Sequence, residues 1–413
     1  MGASDAAPQI AACVTASAVA VWFGLGTPGL RFLSKRREEA RSARCRKVLL
    51  DAVSRGRERS SPSVESEVST GSNSQQLGAS QKGGSGFFDE MAKTLQKSFS
   101  FPEGYLDPEN VGYEMEKAVI ESEEGSKQGR VPAVIFSKAS KRRKPSPAVI
   151  VIHATGKSKT SVYTHLRRFA DMGFVAVGID CRYHGERAFG EKPKQAYADA
   201  LVRAWRGSGE RPFLLDNVWD VMHVVDYLSQ RADVDADRIG LTGISLGGMI
   251  TWLAAAVDTR VAAAAPLIGV HGFKWALNNN AWQARAESIP EVFREAAKDL
   301  GKEELDAEVV RSVWDKIAPG LVDKFDSPRS LPAIAPRPLL VLNGEEDPRC
   351  PVKSLLQAAD AARHSYQVLG SPDKFEVYVQ DGCGHQATDE MHRAALEFFV
   401  QHLRPSDTNG VAA

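Results

Sequence analysis

The stretch from Gly243 to Gly247, which reads Gly-Ile-Ser-Leu-Gly, constrains the fold of this chain more than any other part of the sequence. Residues 238–242 before it are largely apolar, whereas residues 248–256 after it are rich in helix-forming side chains. A strand, a sharp turn and a helix are therefore predicted in that order. Because a serine in so tight a turn needs neighbours without side chains, the flanking glycines favour a turn that presents Ser245.

Seven further segments have the composition of β-strands, and helix-like sequence separates most of them. The segments 113–120 and 131–137 lie close together and predict an opening hairpin. Others, such as 148–152, are continuous apolar runs, which are typical of parallel strands buried on both faces. The repeating strand and helix pattern predicts a mostly parallel α/β sheet. The remaining strand-like segments are 174–180, 261–270, 338–342 and 375–379.

The strand and helix rhythm breaks at residues 271–331, where the sequence becomes helical, charged and aromatic. About sixty residues exceed any ordinary connection between two elements. We therefore expect this segment to be a helical lid inserted into the domain. Its folding over the pocket would decide which substrate fits, so the sequence leaves substrate identity and acyl preference open.

Two turns that follow predicted strands carry groups that could activate a serine. A serine hydroxyl is a weak nucleophile at neutral pH and needs a nearby base, with a third group to orient that base. His385 lies in a glycine-bracketed loop, and Asp347 ends a glycine-containing turn in which Glu345 and Glu346 compete with it as the acid. All these groups follow the carboxyl ends of strands, where open α/β sheets place their sites.

The order Ser, Asp, His, together with residues 237–248 (Asp-Arg-Ile-Gly-Leu-Thr-Gly-Ile-Ser-Leu-Gly-Gly), resembles the α/β-hydrolase fold family over about residues 113–403. Within it, the sequence looks most like the dienelactone hydrolase, acetyl xylan esterase and prolyl oligopeptidase branches. The resemblance implies a mostly parallel, eight-stranded sheet with helices on both faces. It also implies Ser245 as nucleophile, His385 as general acid and base, and Asp347 as the carboxylate that fixes the imidazole tautomer.

The same resemblance implies an oxyanion hole built from backbone N–H groups. One donor would be Leu246, directly after the serine, and the other would come from the loop that begins at His153. Family members commonly have His-Gly there, whereas this chain has Ala154 in place of the glycine. Thr155 is the predicted second donor, and Ala154 remains an alternative.

These residues predict a serine hydrolase that cleaves a carboxylic ester or thioester through an acyl-enzyme intermediate. Its partner would be a small-molecule ester or acyl substrate, and neither an organic cofactor nor a metal is expected. A serine peptidase or amidase of the prolyl oligopeptidase type is the nearest alternative. A ligand-binding protein that keeps the fold without catalysis is another, because a fold does not by itself imply an activity.

The composition excludes some classes of partner. Lysine and arginine number 52 and aspartate and glutamate 52, so the formal net charge is zero and no global field attracts nucleic acid. The five cysteines include no Cys-x-x-Cys pair, so neither a disulfide framework nor a zinc ribbon is expected, and reducing surroundings are favoured. The oligomeric state is left open.

The amino-terminal segment predicts a membrane anchor. No charged residue occurs between Ala6 and Leu30, and basic residues are frequent from Arg31 to Lys47. A helix over the uncharged stretch would extend about 37 Å, which is enough to cross a bilayer. The basic flank then predicts a single-pass membrane protein whose catalytic domain faces the cytosol. A transit peptide for the chloroplast or another organelle, and a cytoplasmic location, are the alternatives.

The domain organisation follows from these segments. Residues 1–50 form the predicted apolar segment with its basic flank. Residues 51–86 are rich in serine, glycine and glutamine and predict a disordered linker, because they cannot bury enough apolar surface to offset the entropy of ordering. The predicted catalytic domain covers 87–404, and 405–413 form a flexible tail.

Overall fold

The computed structural model describes residues 27–55, 57, 61–70, 113–138 and 144–404. Nine strands of these residues form one sheet. The strands are β1 Val64–Thr70, β2 Tyr113–Glu121, β3 Arg130–Lys138, β4 Ser146–Ile152, β5 Val175–Ile179, β6 Val234–Ile244, β7 Val261–Leu267, β8 Leu339–Gly344 and β9 Phe375–Gln380.

Of the described helices, one precedes β1 and the others follow β4. They are α1 Thr27–Ser54, α2 Tyr163–Asp171, α3 Ala196–Trp205, α4 Leu215–Gln230, α5 Leu246–Val257, α6 Phe273–Asn278, α7 Gln283–Ala286, α8 Pro290–Asp299, α9 Ala307–Ile317, α10 Ser327–Ser330, α11 Val352–Val368 and α12 Asp389–Leu403. Short 3₁₀ turns join some of these elements.

The strand order is β1-β2-β3-β5-β4-β6-β7-β8-β9. Strands β1, β2, β3 and β5 pair antiparallel in that order, whereas β5, β4, β6, β7, β8 and β9 pair parallel. The predicted α/β class with a mostly parallel sheet is confirmed. Each of the eight strand-like segments overlaps a strand, and β1 adds a ninth that the sequence did not predict.

Helices cover both faces of the sheet, as predicted. Along β4, Ala148, Ile150 and Ile152 point into a core shared with α4 and α5. Val149 and Val151 point into a second core, shared with α2 and α12. All residues of β4, β5 and β8 are buried, which explains why these strands read as continuous apolar runs.

The amino-terminal helix α1 packs against the catalytic domain. Leu49 and Val53 are 0% exposed, and the Arg46 guanidinium donates to the carbonyl oxygen of Ala333 at 2.8 Å. The hydroxyl of Ser365 donates to the buried Glu38 carboxylate at 2.6 Å. The basic residues that were expected to flank a membrane anchor therefore belong to a helix fixed on the domain surface.

The prediction of a membrane anchor is wrong. No helix in the described part of the chain is long and apolar enough to cross a bilayer. Helix α1 carries charged side chains along much of its length, and charges are expensive in a hydrocarbon core. Membrane localisation and the single-pass topology are corrected on this finding. Residues 1–26, which hold most of the apolar segment, lie outside the described residues.

The linker prediction also needs correction where the structure describes it. Residues 51–54 end α1, and β1 pairs with β2 from Val64 opposite Ile120 to Thr70 opposite Glu114. Backbone hydrogen bonds to a neighbouring strand thus order a segment whose composition offered little apolar surface. Residues 71–112, with the predicted start of the catalytic domain, and the tail 405–413 lie outside the described residues.

The insertion 271–331 is helical and comprises α6 to α10. Its aromatic side chains Phe273, Phe293 and Trp314 are at most 1% exposed. Helix α8 packs on α3, and the indole of Trp205 donates to Asp299 at 2.9 Å. The insertion is thus a packed part of the domain, and its role as a lid stays a prediction.

Candidate active site

Ser245 lies in a sharp turn between β6 and α5. Its backbone has φ 54° and ψ −104°, a conformation that residues other than glycine rarely adopt. The Ser245 N–H donates to the carbonyl oxygen of Leu267 at 2.9 Å, which fixes the turn to the neighbouring strand β7. The serine is 7% exposed, so its hydroxyl lies just beneath the surface at the carboxyl edge of the sheet.

The glycines around Ser245 are required by close backbone contacts. A Cβ atom on Gly247 would lie 2.2 Å from the carbonyl oxygen of Ile152, and one on Gly243 would lie 2.6 Å from the backbone of Gly247. The first turn of α5 therefore rests directly on the end of β4. This steric constraint explains why the local sequence was so informative about the turn.

A continuous hydrogen-bonded relay joins three predicted residues. Ser245 Oγ lies 2.8 Å from His385 Nε2, and His385 Nδ1 lies 2.7 Å from Asp347 Oδ2. With the proton on Nδ1 donated to the carboxylate, Nε2 is free to accept the hydroxyl proton of Ser245. The structure thus brings together side chains from turns after β6, β8 and β9.

Asp347, not its glutamate neighbours, lies against the imidazole. Its side chain is fully buried, and its Oδ1 accepts backbone N–H groups from Arg349 at 2.8 Å and Cys350 at 3.0 Å. Glu345 and Glu346 are exposed, and Glu345 accepts from the backbone of the His385 loop instead. The carboxylate is therefore held rigidly with one oxygen left for the histidine.

The electrostatic surroundings favour a neutral His385. Burial lowers the pKa of His385, and the hydrogen bond and negative charge of Asp347 raise it, while Arg285 and Arg349 lower it. The net effect is a pKa below the ordinary value of 6.5. An imidazole that is unprotonated at neutral pH can act as a base.

The predicted oxyanion donors lie on adjoining segments. Leu246 is the first residue of α5, where a backbone N–H has no acceptor within the helix. The loop after β4 forms a turn in which Lys157 N–H donates to Ala154 at 3.1 Å. His153 Nδ1 donates to the carbonyl oxygen of Ala154 at 2.8 Å. Its Nε2 accepts from the backbone N–H of Cys181, in the loop after β5, at 3.0 Å. Thr155 is partly exposed in this turn, and its role stays a prediction.

A buried ion pair that the sequence did not predict ties together two loops next to the site. Lys159 Nζ donates to Asp180 Oδ2 at 2.7 Å, and the backbone N–H of Lys159 donates to Asp180 Oδ1 at the same distance. Both side chains are buried. No local pattern marked Lys159, because its partner is supplied by a different strand end. The pair holds the loop after β4 against the loop after β5.

Three side chains could be considered as metal ligands. The donor atoms of Asp347, Cys350 and His385 lie within 4.8 Å of one another. However, burial raises the pKa of the Cys350 thiol to about 12, and the thiol donates to the carbonyl of Ile268 at 3.2 Å. Because a metal ligand must be a thiolate, this group fits a structural thiol better than a metal centre. The expected absence of a metal stays a prediction.

A family model described as the prolyl oligopeptidase family matches residues 160–406. These residues include the sharp turn at 243–247, termed the elbow, and the whole Ser245, Asp347 and His385 arrangement. The chain belongs to the prolyl oligopeptidase family. This family member is 25% identical over 281 residues to YtaP of Bacillus subtilis (strain 168), a protein provisionally named a hydrolase. That match covers 65% of this chain and 82% of YtaP.

Solved structures extend the comparison to the fold. Methylesterase BT1017 matches with a TM-score of 0.57 at 15% identity, over 90% of this chain and 66% of the methylesterase. Acetyl xylan esterase 1 from Thermoanaerobacterium sp. JW/SL YS485 matches with a TM-score of 0.54 at 17% identity, over 88% of this chain and 93% of the esterase. The predicted α/β-hydrolase resemblance is confirmed, and this prolyl oligopeptidase family member is a hydrolase.

Proposed function

We propose that this protein is a serine esterase that hydrolyses carboxylic esters or thioesters of small molecules. The observation that supports the proposal most is the relay from Ser245 through His385 to Asp347, with heavy-atom distances of 2.8 and 2.7 Å. Both distances lie within hydrogen-bond reach for proton transfer. The strained turn at Ser245 also supports the proposal, because a strained strand-to-helix turn of this kind holds the serine hydroxyl at the end of the sheet, where a substrate can reach it.

Acylation uses all three side chains. Ser245 Oγ attacks the carbonyl carbon, and its proton passes to Nε2 of His385. Asp347 stabilises the imidazolium that forms, and the N–H groups of Leu246 and the loop at Thr155 receive the developing oxyanion. The bond to the leaving group then breaks as His385 returns the proton to the leaving oxygen or sulfur. An alcohol or thiol departs and an acyl-serine remains.

Deacylation repeats these steps with water. His385 Nε2 takes a proton from a water molecule as its oxygen attacks the acyl-serine. The bond between the acyl carbon and Ser245 Oγ breaks, and His385 returns the proton to that oxygen. A carboxylic acid leaves, and the resting relay is restored.

The nearest alternative is peptide or amide hydrolysis, which the name of the matched family favours. Methylesterase and acetyl xylan esterase, by their names, act on esters and share the fold over most of this chain. A thioester or ester has a better leaving group than an amide, so the same relay hydrolyses it more readily. We therefore place the ester first.

Fluorophosphonate labelling of the full chain tests the proposal. The full chain is required because α1 and β1 pack on the domain. We expect labelling of the wild-type protein and none of Ser245→Ala. An acyl-length series of 4-nitrophenyl esters, with matched thioesters and 4-nitroanilides, then ranks the substrate classes. Absence of Ser245-dependent labelling in folded protein contradicts a serine hydrolase, and faster anilide than ester turnover favours the peptidase.

A further inference from the structure

Arg285 is a buried cation at the edge of the relay. It lies on α7 of the insertion and is 2% exposed. Its Nη2 donates to the carbonyl oxygen of Arg349 at 2.9 Å and to the sulfur of Cys350 at 3.0 Å. In the described residues, no carboxylate lies within ion-pairing distance of its guanidinium. A buried charge without an opposite charge is costly and calls for a physical explanation.

The contact with Cys350 places Arg285 close to the reacting groups. The sulfur of Cys350 lies within 4.8 Å of both the Asp347 carboxylate and the His385 imidazole. Both oxygens of Asp347 already accept hydrogen bonds, from two backbone N–H groups and from His385. The catalytic carboxylate is therefore committed to the relay and does not serve as the hydrogen-bonded partner of Arg285.

Several polar atoms near Arg285 are buried without a hydrogen-bond partner among the described residues. They are Nε of Arg285 itself, Nε1 of Trp282, the hydroxyl of Tyr197 and both ring nitrogens of His271. Trp282 is joined to Arg285 through a backbone hydrogen bond of 3.1 Å. Burial lowers the pKa of His271 well below its usual range, and Arg285 and His385 lower it further, so this imidazole is neutral.

The same neighbourhood includes Tyr197. Burial raises the pKa of Tyr197, and the charge of Arg285 opposes that rise, so the two side chains lie within electrostatic reach. The ring of Tyr197 is 4.4 Å from that of His184, whose own ring is 5.2 Å from His153 at the oxyanion loop. The ring of His184 thus links Tyr197 to the loop that begins at His153.

Most of the unpartnered atoms are hydrogen-bond donors. Arginine Nε–H and tryptophan Nε1–H only donate, a tyrosine O–H donates and accepts, and a neutral imidazole supplies one donor and one acceptor. A buried cation with unpaired donors on neighbouring residues is suited to a group that accepts hydrogen bonds and carries negative charge. A single guanidinium charge balances a carboxylate, whereas the second charge of a phosphate would remain unpaired in a buried place.

We propose that Arg285, with Tyr197, His271 and Trp282, forms a subsite that binds a carboxylate carried by the ester substrate. This inference rests on the proposed function and narrows it to esters of acidic compounds. Arg285 belongs to the insertion 271–331, so the segment that was expected to set substrate choice supplies the charged recognition group.

Matched pairs of esters test the subsite. Mono-4-nitrophenyl succinate against 4-nitrophenyl butanoate places the carboxylate on the acyl side, and 3-acetoxybenzoate against phenyl acetate places it on the alcohol side. In at least one of the two pairs, we expect the wild-type kcat/KM to be higher for the anionic ester by roughly tenfold to a hundredfold. This is the usual contribution of a hydrogen bond to a charged group. Absence of a preference in both pairs overturns the proposal.

The variants assign the preference to Arg285. Arg285→Gln should abolish the anionic-to-neutral ratio through KM, and Arg285→Lys should restore part of it. Arg294→Gln is the matched control, because this side chain of α8 is 72% exposed. If Arg285→Gln lowers kcat/KM equally for the anionic and the neutral ester, Arg285 supports the fold and the proposal is overturned. If Arg285→Gln fails to fold, Tyr197→Phe decides, since an unchanged ratio there contradicts the subsite.

Equilibrium binding separates this inference from the esterase itself. Calorimetry with sodium succinate on Ser245→Ala should show binding that the Ser245→Ala, Arg285→Gln double variant and neutral succinamide lack. If succinate binds in this way but no ester is turned over, the esterase proposal fails and the subsite stands. If neutral esters are turned over without preference and succinate does not bind, the subsite fails and the esterase stands.

Discussion

The elbow and the insertion meet at the same site, yet their polar groups are satisfied to different extents. At the elbow and in the relay that it starts, the Ser245 N–H, the Ser245 hydroxyl and both Asp347 oxygens all have partners within the chain. In the insertion, Arg285 Nε and both nitrogens of His271 are buried and have no hydrogen-bond partner among the residues that the structure describes.

This contrast separates two tasks of an active site. Groups that perform the same proton transfers for every substrate gain from being fixed in advance by the chain itself. Groups that recognise one class of substrate must keep hydrogen-bonding capacity for it, which lowers stability in the free protein. Substitutions at the relay and substitutions in the insertion should therefore have different consequences.

The largest effect is expected at the relay. Ser245→Ala removes the attacking oxygen and His385→Ala removes the base, so each should lower kcat by on the order of 10⁵-fold or more. Hydrolysis of a 4-nitrophenyl ester measures the loss, with the exposed Ser208→Ala as a control of matched chemistry. Retention of more than about a thousandth of the rate by Ser245→Ala would exclude it as the nucleophile.

The acid should matter less than the base. Asp347→Asn leaves His385 in place but disturbs its tautomer, so we expect a loss on the order of 10⁴-fold in kcat. Glu346→Gln changes an exposed carboxylate of the same turn and should have little effect. The same kinetic assay compares them. An active Asp347→Asn with an inactive Glu346→Gln would reverse the assignment of the acid.

A methyl group at the elbow should damage the fold. Gly247→Ala would place its Cβ 2.2 Å from the carbonyl oxygen of Ile152. Overpacking of this kind destabilises by roughly 1–3 kcal/mol. No atom of the described residues lies within 4 Å of a Cβ added to Gly384, in the His385 loop, so Gly384→Ala should change the free energy of unfolding by less than about 0.5 kcal/mol. Urea denaturation measures both, and equal stabilities would show that the elbow is less tightly packed than described.

In the insertion, removing polar atoms should be tolerated. His271→Phe replaces an imidazole, which has no hydrogen-bond partner in the described part of the chain, by an apolar ring beside Phe273, whose ring centroid is 4.1 Å away. We expect the free energy of unfolding to be unchanged or raised by up to about 1 kcal/mol. The exposed His364→Phe is the control. A marked loss of stability on denaturation would mean that His271 holds the fold together and would break the comparison.

The smallest effect concerns pH. His385 must be neutral to act as a base, so kcat/KM falls as pH drops through its pKa, which lies below 6.5. Arg285 lowers this pKa, so Arg285→Gln should raise it and move the acidic limb to higher pH. A pH profile on a neutral ester measures the shift, with Arg294→Gln as the control. A limb that moves to lower pH would contradict the placement of Arg285 beside the relay.

The proton relay could be predicted because its signals are local. Each of Ser245, Asp347 and His385 follows a strand and a tight turn, and parallel strands bring their carboxyl ends to one edge. The choice between Asp347 and its glutamate neighbours needed the backbone, since only the fold shows which carboxylate turns inward.

The packing of helix α1 on the domain could not be predicted, because it also depends on tertiary contacts. Its buried stripe follows a helical spacing through Glu38, Ser42, Leu49 and Val53, but two of these four residues are polar. The polar members are acceptable inside only because of tertiary contacts such as that from Ser365 to Glu38. Hydrophobic periodicity therefore gave no sign of the packed face, and the charge pattern pointed to a membrane instead.

By itself, the sequence determined the α/β class, the eight strand segments and the elbow at Ser245. The periodicity of apolar residues, the apolar runs and the steric demands on glycine all act over a few residues. Only the tertiary structure decided that α1 and β1 belong to the domain and that Arg285 lies beside His385. Those placements depend on partners far away in the chain, and the free energy of burying a charge or pairing a strand edge is set by what the fold brings next to it.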